Sequence, residues 1–414
     1  MIARIPKSGC ITRANCARSD AISKLRVSMG GDEQWLAILG AALLLERTSF
    51  SDSRWAPYLA ALPREESDVV ASWPDDRRRF LAGTDIEQAL RDERAQARSE
   101  WDGHVAKVVR DATSDVDDDS RPGFDDYLAA RSVVSSRAFT VDDAVGVGLV
   151  PVADMFNHRT GGNHVCVADV EDASAIPAAA RSAAGEPSMY VRVVSPANAD
   201  DEVFNTYGEL GNAKLLSSYG FAQRDNPADR VTLGVPALRA AAAMRGVEGA
   251  SMASRLAWCE RAGVLRDATE FHLSSEEPPP RELLLAIWIL TANEEAFRTV
   301  RAAGEAARDD GETDVGARVA ARAESIVGGG LRTSAANAVF AEALRRRRAL
   351  YAEPPGGDPA SWKTSLAILV ASESAILAWH ERDAEDTGEG EGNEKRRRVD
   401  AADSSPADAF SLFD

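Results

Sequence analysis

Two segments hold most of the residues whose types and spacing could do polar chemistry. Val150-Pro151-Val152-Ala153-Asp154-Met155-Phe156-Asn157-His158 is a mainly apolar run that ends on an amide beside an imidazole. Glu202-Val203-Phe204-Asn205-Thr206-Tyr207-Gly208 sets a phenol before a glycine, and Gly211-Asn212-Ala213, Tyr219-Gly220-Phe221 and Asn226-Pro227 follow it. Adjacent Asn157 and His158 at a strand end can offer a side-chain amide and backbone groups to a polar ligand. A simple Asx-type turn satisfies the same pattern. Asp154, His158 and His164 carry metal-ligand atoms, but their spacing matches no common metal site. Tyr207 reads either as a packing or turn residue, or as a buried phenol that hydrogen-bonds a substrate. Taken singly, none of these residues selects one chemistry.

The elements that must position them are mixed. Residues 145–153 (VGVGLVPVA) are small and β-branched and read as a strand broken at Pro151. Residues 165–170 and 189–194 also read as strands, and the Ala/Ser/Gly/Pro-rich stretch 171–188 between them as a mobile insertion. Ile2-Ala3-Arg4-Ile5 reads as extended chain ended by Pro6. Residues 33–47 (EQWLAILGAALLLER) have helical apolar spacing, which Gly40 weakens only modestly. Helical patterning returns over 75–109, with Phe80, Leu81, Ile86, Leu90, Trp101 and Val105 inward, and over 127–134, which leads into Ser136-Arg137-Ala138-Phe139. From Pro236 the chain is rich in Ala, Leu and Arg at helical periodicity, which predicts an all-helical second domain. The tail from Glu381 is too poor in apolar residues to offset its ordering entropy and is expected to be disordered.

Composition narrows the function. The chain has 414 residues, 66 acidic against 48 basic, and a net charge of −18. Such a surface repels phosphate backbones, so direct nucleic-acid binding is not expected, and it attracts lysine-rich partners. No apolar run approaches the ~20 residues of a membrane-spanning helix, and no membrane partner is expected. Cys10, Cys16, Cys166 and Cys259 form no C-x-x-C pair and read as reduced thiols of a cytosolic, nuclear or organellar protein. Arg4, Lys7, Arg13 and Arg18 near the start suit either an organelle transit peptide or a folded strand and turn, of which the strand is preferred. Lys395-Arg396-Arg397-Arg398 suits a nuclear signal or a chance basic cluster, and the expected location is nucleus and/or cytoplasm.

In combination and order, the motifs resemble those of SET-domain protein-lysine methyltransferases of the Rubisco large-subunit methyltransferase-like branch. That branch includes ribosomal-protein and Rel-factor lysine methyltransferases. The resemblance rests on P-x-A-D-x-x-N-H at Pro151 to His158, N-x-Y-G at Asn205 to Gly208, Y-G-F at Tyr219 to Phe221, and the following Asn226-Pro227. Upstream it rests on Arg54-Trp55-Ala56-Pro57-Tyr58, Gly83-Thr84-Asp85-Ile86-Glu87 and Ser136-Arg137-Ala138-Phe139. It covers residues 2–350 or so.

The resemblance implies an α+β SET fold of small β-sheets with a knot-like threading. It implies SET strands at 1–32, a helical insertion at 33–130, the rest of the SET core at 131–230, a helical substrate-binding domain at 231–380 and a tail at 381–414. It further implies S-adenosyl-L-methionine as cofactor, contacted by Arg137, Asn157, His158 and Tyr207, with Tyr207 the catalytic phenol. Asp154, Tyr219 and Phe221 are expected on the target-lysine side. The expected partner is a protein with a target lysine (ribosomal, histone or other nuclear or cytosolic protein), and the expected state is a monomer. Methyl transfer of this kind needs neither a metal nor a covalent intermediate. The family opens with a glycine-containing strand that approaches the cofactor, and nothing like it precedes Met1, where Ile5-Pro6-Lys7-Ser8 resembles a later strand. A truncated start, or a catalytically weakened homologue acting as a protein-binding module, accounts for that departure. A histidine acceptor is the third reading.

Overall fold

The computed structural model describes residues 2–16, 18–168, 186–247, 249–263, 270–328, 330–355 and 361–386. Most of the expected insertion at 171–188, and Lys395-Arg396-Arg397-Arg398, lie outside the described residues. The chain divides into two compact units, residues 1–229 with 351–373 and residues 230–350 with 374 onward.

The first unit carries the two segments of interest. Strands β1 (Ala3–Pro6), β2 (Ile11–Thr12), β3 (Ala138–Asp142), β4 (Gly146–Leu149), β5 (Val165–Ala168) and β6 (Ser188–Val193) form two three-stranded antiparallel sheets, ordered β1-β6-β5 and β2-β4-β3. Ala3 pairs with Val191 and Val165 with Val193 in one sheet, while Ile11 and Ala138 flank Leu149 in the other. Period-two alternation turns Ile5, Val141, Val165, Met189 and Val191 inward, and with Val150 and Ala153 they form one apolar cluster between the sheets. The chain therefore leaves β4 with Val150 and Ala153 anchored in the core, immediately before Asp154.

Helices fill the stretch between β2 and β3. Trp35–Thr48 is apolar on nearly every side and buried from Ala37 to Glu46, as expected of a core helix. It packs on the helix Phe124–Arg137. Gly40 marks the close approach, because a Cβ there would stand 2.9 Å from Arg131 Cγ. Ile86–Glu100 runs through a π-helical turn, Trp101–Val105, into Ala106–Ala112. Inside this layer Arg131 Nη1 donates to Glu100 Oε2 at 2.5 Å, both side chains being nearly fully buried. Phe124–Arg137 reaches three residues beyond the helical signal at 127–134 and ends on Arg137, directly before β3.

Two expectations are corrected. Residues 351–373, counted by sequence with the second domain, pack with the first unit. The reason is apolar: Leu366 and Leu369 of the helix Ser361–Asp386 are fully buried there with Val70, Trp73, Leu81, Leu90 and Leu216, and Trp362 meets Trp73 edge-on at 5.4 Å. The second unit is not all-helical. Beside Val235–Met244, Gly249–Arg261, Arg281–Thr291, Glu294–Asp309, Val315–Val327 and Ser334–Arg348 it holds an antiparallel pair, β7 (Arg230–Gly234) and β8 (Glu270–Ser274). In β8, Phe271 and Leu273 are buried while Glu270 and His272 are exposed, the alternation of a one-sided strand. Residues 381–386, placed by sequence in the tail, continue the last helix, and Glu381 pairs with Arg345 and Arg348 at 3.1 and 3.0 Å. Among the described residues no helix is long and apolar enough to cross a membrane.

Candidate active site

The two segments singled out by sequence run side by side. His158 and Asn205 form an isolated parallel bridge, in which Asn205 N–H donates to the Asn157 carbonyl at 2.8 Å and Arg159 N–H to the Asn205 carbonyl at 3.0 Å. The turn into the first segment is strained. Val152 has φ of 73° and ψ of −43°, a strained positive-φ conformation that costs a β-branched residue on the order of 1–3 kcal/mol. That turn buries Ala153 and Asp154 and leaves Met155 76% exposed beside them.

His158 organises the crossing. Its Nδ1 accepts the Tyr207 backbone N–H at 2.9 Å, so the ring proton sits on Nε2, which donates to Thr160 Oγ1 at 2.7 Å. Burial pushes its pKa below the ordinary histidine value, in keeping with a neutral ring. Both ring nitrogens are engaged within the protein, so His158 acts here as a strut. Its ring stacks on Tyr207 at 5.0 Å, and Tyr207 in turn meets Tyr219 at 4.6 Å. Phe221 closes the cluster, 6.1 Å from His158 and 6.4 Å from Tyr219. The Tyr207 hydroxyl donates to the Phe156 carbonyl at 2.8 Å. Burial first, and then the Tyr219 phenol beside it, push its pKa up to about 12. Burial raises the Tyr219 phenol as well.

Charged groups gather around Asp154. Its side chain is 2% exposed, its Oδ2 accepts from the Tyr58 hydroxyl at 2.9 Å, and Arg137 Nη1 stands 3.6 Å from that same oxygen. Arg137 Nη1 donates to the Asp154 carbonyl at 3.3 Å, and its Nε to Glu66 Oε1 at 2.6 Å. Desolvation raises the Asp154 pKa despite Tyr58 and Arg137. Asp154 Oδ1 and Asn205 Oδ1 are buried acceptors with no hydrogen-bond partner among the described residues. Such an oxygen costs about 1–3 kcal/mol until something donates to it.

The structure thus gathers Tyr207, His158, Tyr219 and Phe221 into one ring cluster and joins Asp154 to Arg137. Asn157 is exposed, and its amide donates to Glu202 Oε1 at 2.5 Å. His164 is engaged elsewhere, accepting the Phe204 N–H at 3.1 Å. Sequence reasoning did not assign Tyr58 or Glu66 to the site, although Tyr58 ends one of the quoted motifs. It also missed a buried brace. Thr160 N–H donates to Gln223 Oε1 at 3.0 Å, and Gln223 N–H to Asn212 Oδ1 at 2.9 Å. Asn212, fully buried, donates from N and Nδ2 to the two carboxylate oxygens of Asp229, both at 2.8 Å. This chain of bonds holds the Tyr219–Phe221 turn against the His158 turn; Asn212 lies in the second segment, but nothing in the sequence marks Gln223 or Asp229 as its partners.

Two small antiparallel sheets, a helical insertion between their strands and an Asn-His segment laced to an Asn-x-Tyr-Gly segment make up a SET fold. The fold is the one seen in the SET domain of Rubisco LSMT. The SET domain of LSMT, crystallised with lysine and AdoHcy, superimposes with a TM-score of 0.64 at 17% identity, over 99% of this chain and 88% of that one. In sequence the chain is similar to N-lysine methyltransferase SETD6 of Rattus norvegicus, 28% identical over 273 residues, which are 62% of this chain and 52% of that protein. It is also similar to ribosomal lysine N-methyltransferase set10 of Schizosaccharomyces pombe, 28% identical over 199 residues, 47% of this chain and 32% of that protein. The chain spans about half or less of the length of these relatives. No protein-family model matches it.

Proposed function

We propose that the chain is a protein-lysine N-methyltransferase that uses S-adenosyl-L-methionine. The observation that carries the reading is the position of the Tyr207 phenol, hydrogen-bonded to the residue before Asn157 and stacked on His158. The lysine methyltransferases among the relatives, and the cofactor product and lysine bound in the solved LSMT domain, support the same reading.

Bound at this site, the cofactor supplies a sulfonium methyl to an in-line attacking amine. Arg137, Asn157 and Tyr207 would hold it, with His158, whose ring nitrogens are both engaged, contributing through its backbone, and Asp154, Tyr219 and Phe221 would face the target lysine. The two buried acceptors without partners, Asp154 Oδ1 and Asn205 Oδ1, suit cationic or N–H-donating ligands. A lysine amine must be neutral to attack, yet its ordinary pKa is about 10.4. The aromatic walls Tyr207, Tyr219 and Phe221 disfavour the ammonium by excluding water. Tyr207, with a pKa of about 12, keeps its proton at neutral pH and donates it in a hydrogen bond to the Phe156 carbonyl. Its oxygen lone pairs are then left to accept an amine N–H, so the phenol orients the nucleophile and does not act as the base. Orientation of this kind supplies several kcal/mol of a transfer barrier.

The partner in this reading is a ribosomal, histone or other nuclear or cytosolic protein, met by a monomer in the nucleus and/or cytoplasm. Transfer from labelled cofactor to a lysine-rich protein mixture tests it. Incorporation is expected with the wild type and is expected to fall at least about tenfold in Tyr207→Phe, one lost hydrogen bond in the transition state. Equal incorporation by both overturns the role of Tyr207. Tight cofactor binding without incorporation identifies a binding module, and mass spectrometry of the product separates a lysine from a histidine acceptor.

A further inference from the structure

We propose that Glu66, in the loop of the helical insertion, is a positioning residue for the transfer reaction: it limits Arg137 to one long contact with the Asp154 carboxylate, at Oδ2, and leaves Oδ1 open to substrate. The proposal rests on the methyltransferase reading and adds to the site a part of the insertion that lies outside the quoted motifs.

Glu66 is locked to the helix Phe124–Arg137 at two points. Its backbone N–H donates to Ser132 Oγ at 3.0 Å, and Ser132 is itself fixed by donating to the Ala129 carbonyl at 2.8 Å. Its carboxylate accepts from Arg137 Nε at 2.6 Å. The guanidinium is a rigid, planar fork, so engaging Nε sets the direction of the whole group. The far side then meets Asp154 through its backbone carbonyl at 3.3 Å, while the nearer carboxylate oxygen stays 3.6 Å away, beyond a good hydrogen bond. Tyr58, from the same insertion, takes the Asp154 Oδ2 at 2.9 Å. The outcome is a buried carboxylate with Oδ1 unpaired, although an arginine stands next to it. Without the Glu66 carboxylate, Arg137 would be drawn to the only other carboxylate in this group. A two-pronged Arg–carboxylate pair is the stronger arrangement, and it would occupy the oxygen that the substrate needs. The Tyr207 phenol feels the charges of Arg137, Asp154 and Glu66 alike, so the three stand within electrostatic reach of the reacting groups.

The test is steady-state methyl transfer on one defined lysine substrate by wild type, Glu66→Gln, Glu66→Asp, Arg137→Ala and the Glu66→Gln/Arg137→Ala double variant. Glu66→Gln is expected to raise KM for the protein substrate roughly tenfold, with kcat changed much less, as when binding is lost equally from ground and transition states. Glu66→Asp restores part of the loss. In the Arg137→Ala background Glu66→Gln adds no further rise, because its effect runs through Arg137. Glu65→Gln, at the exposed neighbouring position, leaves both constants unchanged. An unchanged KM in Glu66→Gln, or the same rise with and without Arg137, overturns the proposal and leaves the methyltransferase reading intact. A wild type that transfers no methyl to any acceptor overturns both.

Discussion

Asp154→Asn is expected to make the protein more stable at neutral pH while it loses transfer activity. The carboxyl side chain is 2% exposed, one of its oxygens lacks a partner, and desolvation raises its pKa above the ordinary value in spite of Arg137 and Tyr58. The sign follows from linkage. A carboxyl whose folded pKa lies above its unfolded value binds its proton more tightly when folded. Its favourable contribution is therefore complete below the unfolded pKa of about 3.9 and is lost as pH rises through the folded value. At pH 7 the ionised Asp154 is a net cost. Asparagine keeps the shape, lets its carbonyl take the Tyr58 hydroxyl, and removes the buried charge, while its Nδ2 takes the unpaired place of Oδ1. A gain of about 1–2 kcal/mol is the scale expected for removing a buried charge net of that unpaired amide. In a domain of 150–250 residues that amounts to roughly 2–8 °C in Tm. Calorimetric melting of both proteins between about pH 3 and pH 8 should show the two Tm values converging at the acid end, where the carboxyl is protonated in folded and unfolded chains alike. An Asp154→Asn protein that melts at or below wild type at pH 7, or a gap that ignores pH, refutes the reasoning.

Three further substitutions test the scaffold. Gly220→Ala places a Cβ 2.7 Å from the Asp68 carbonyl carbon at a φ of +82°, so a loss of more than about 2 kcal/mol is expected in urea unfolding. Glu100→Gln leaves the Arg131 guanidinium buried without its carboxylate, and a loss of about 3 kcal/mol is expected by the same measurement. Asn212→Ala keeps the backbone bond to Asp229 Oδ1 but removes the amide that donates to Asp229 Oδ2 and accepts the Gln223 N–H, and hydrogen exchange across residues 219–226 is expected to speed up while exchange in the helix Trp35–Thr48 does not.

What could be read in the sequence was what repeats locally. The apolar run 35–48 is a core helix because nearly every side is apolar, and the β-branched runs at 146–149, 165–168 and 188–193 are strands. The ring cluster was within reach because its members sit in three short motifs. The polar links were not. Nothing near Glu66 marks it as the partner of Arg137, 71 positions away, or Tyr58 as the partner of Asp154, 96 positions away. Such pairs depend on how the insertion lies on the SET core, and charge patterning along the chain carries no record of it. The same limit explains residues 351–373. Leu366 and Leu369 look like ordinary helix-face leucines, and only the tertiary arrangement shows which core they enter. The strand β8 was missed for a different reason: five residues of alternation were outweighed by the helical composition around them.

Four costs borne by this fold fall together at the site. Val152 takes a positive-φ conformation that suits glycine, Asp154 and Asn205 leave acceptors unpaired, and His158 is desolvated to a neutral strut. All four lie on the two laced segments, although Thr12 Oγ1, Arg78 Nε and Arg192 Nε elsewhere in the unit also lack partners among the described residues. A chain under selection for stability alone has ready remedies, such as glycine at 152 or asparagine at 154. Their absence from one continuous patch, under a phenol held by the Phe156 carbonyl, is the pattern of local strain kept for a ligand. If so, Val152→Gly and Asp154→Asn belong to one class. Each should raise Tm, and each should lower transfer, because what they relieve is the arrangement that the substrate completes.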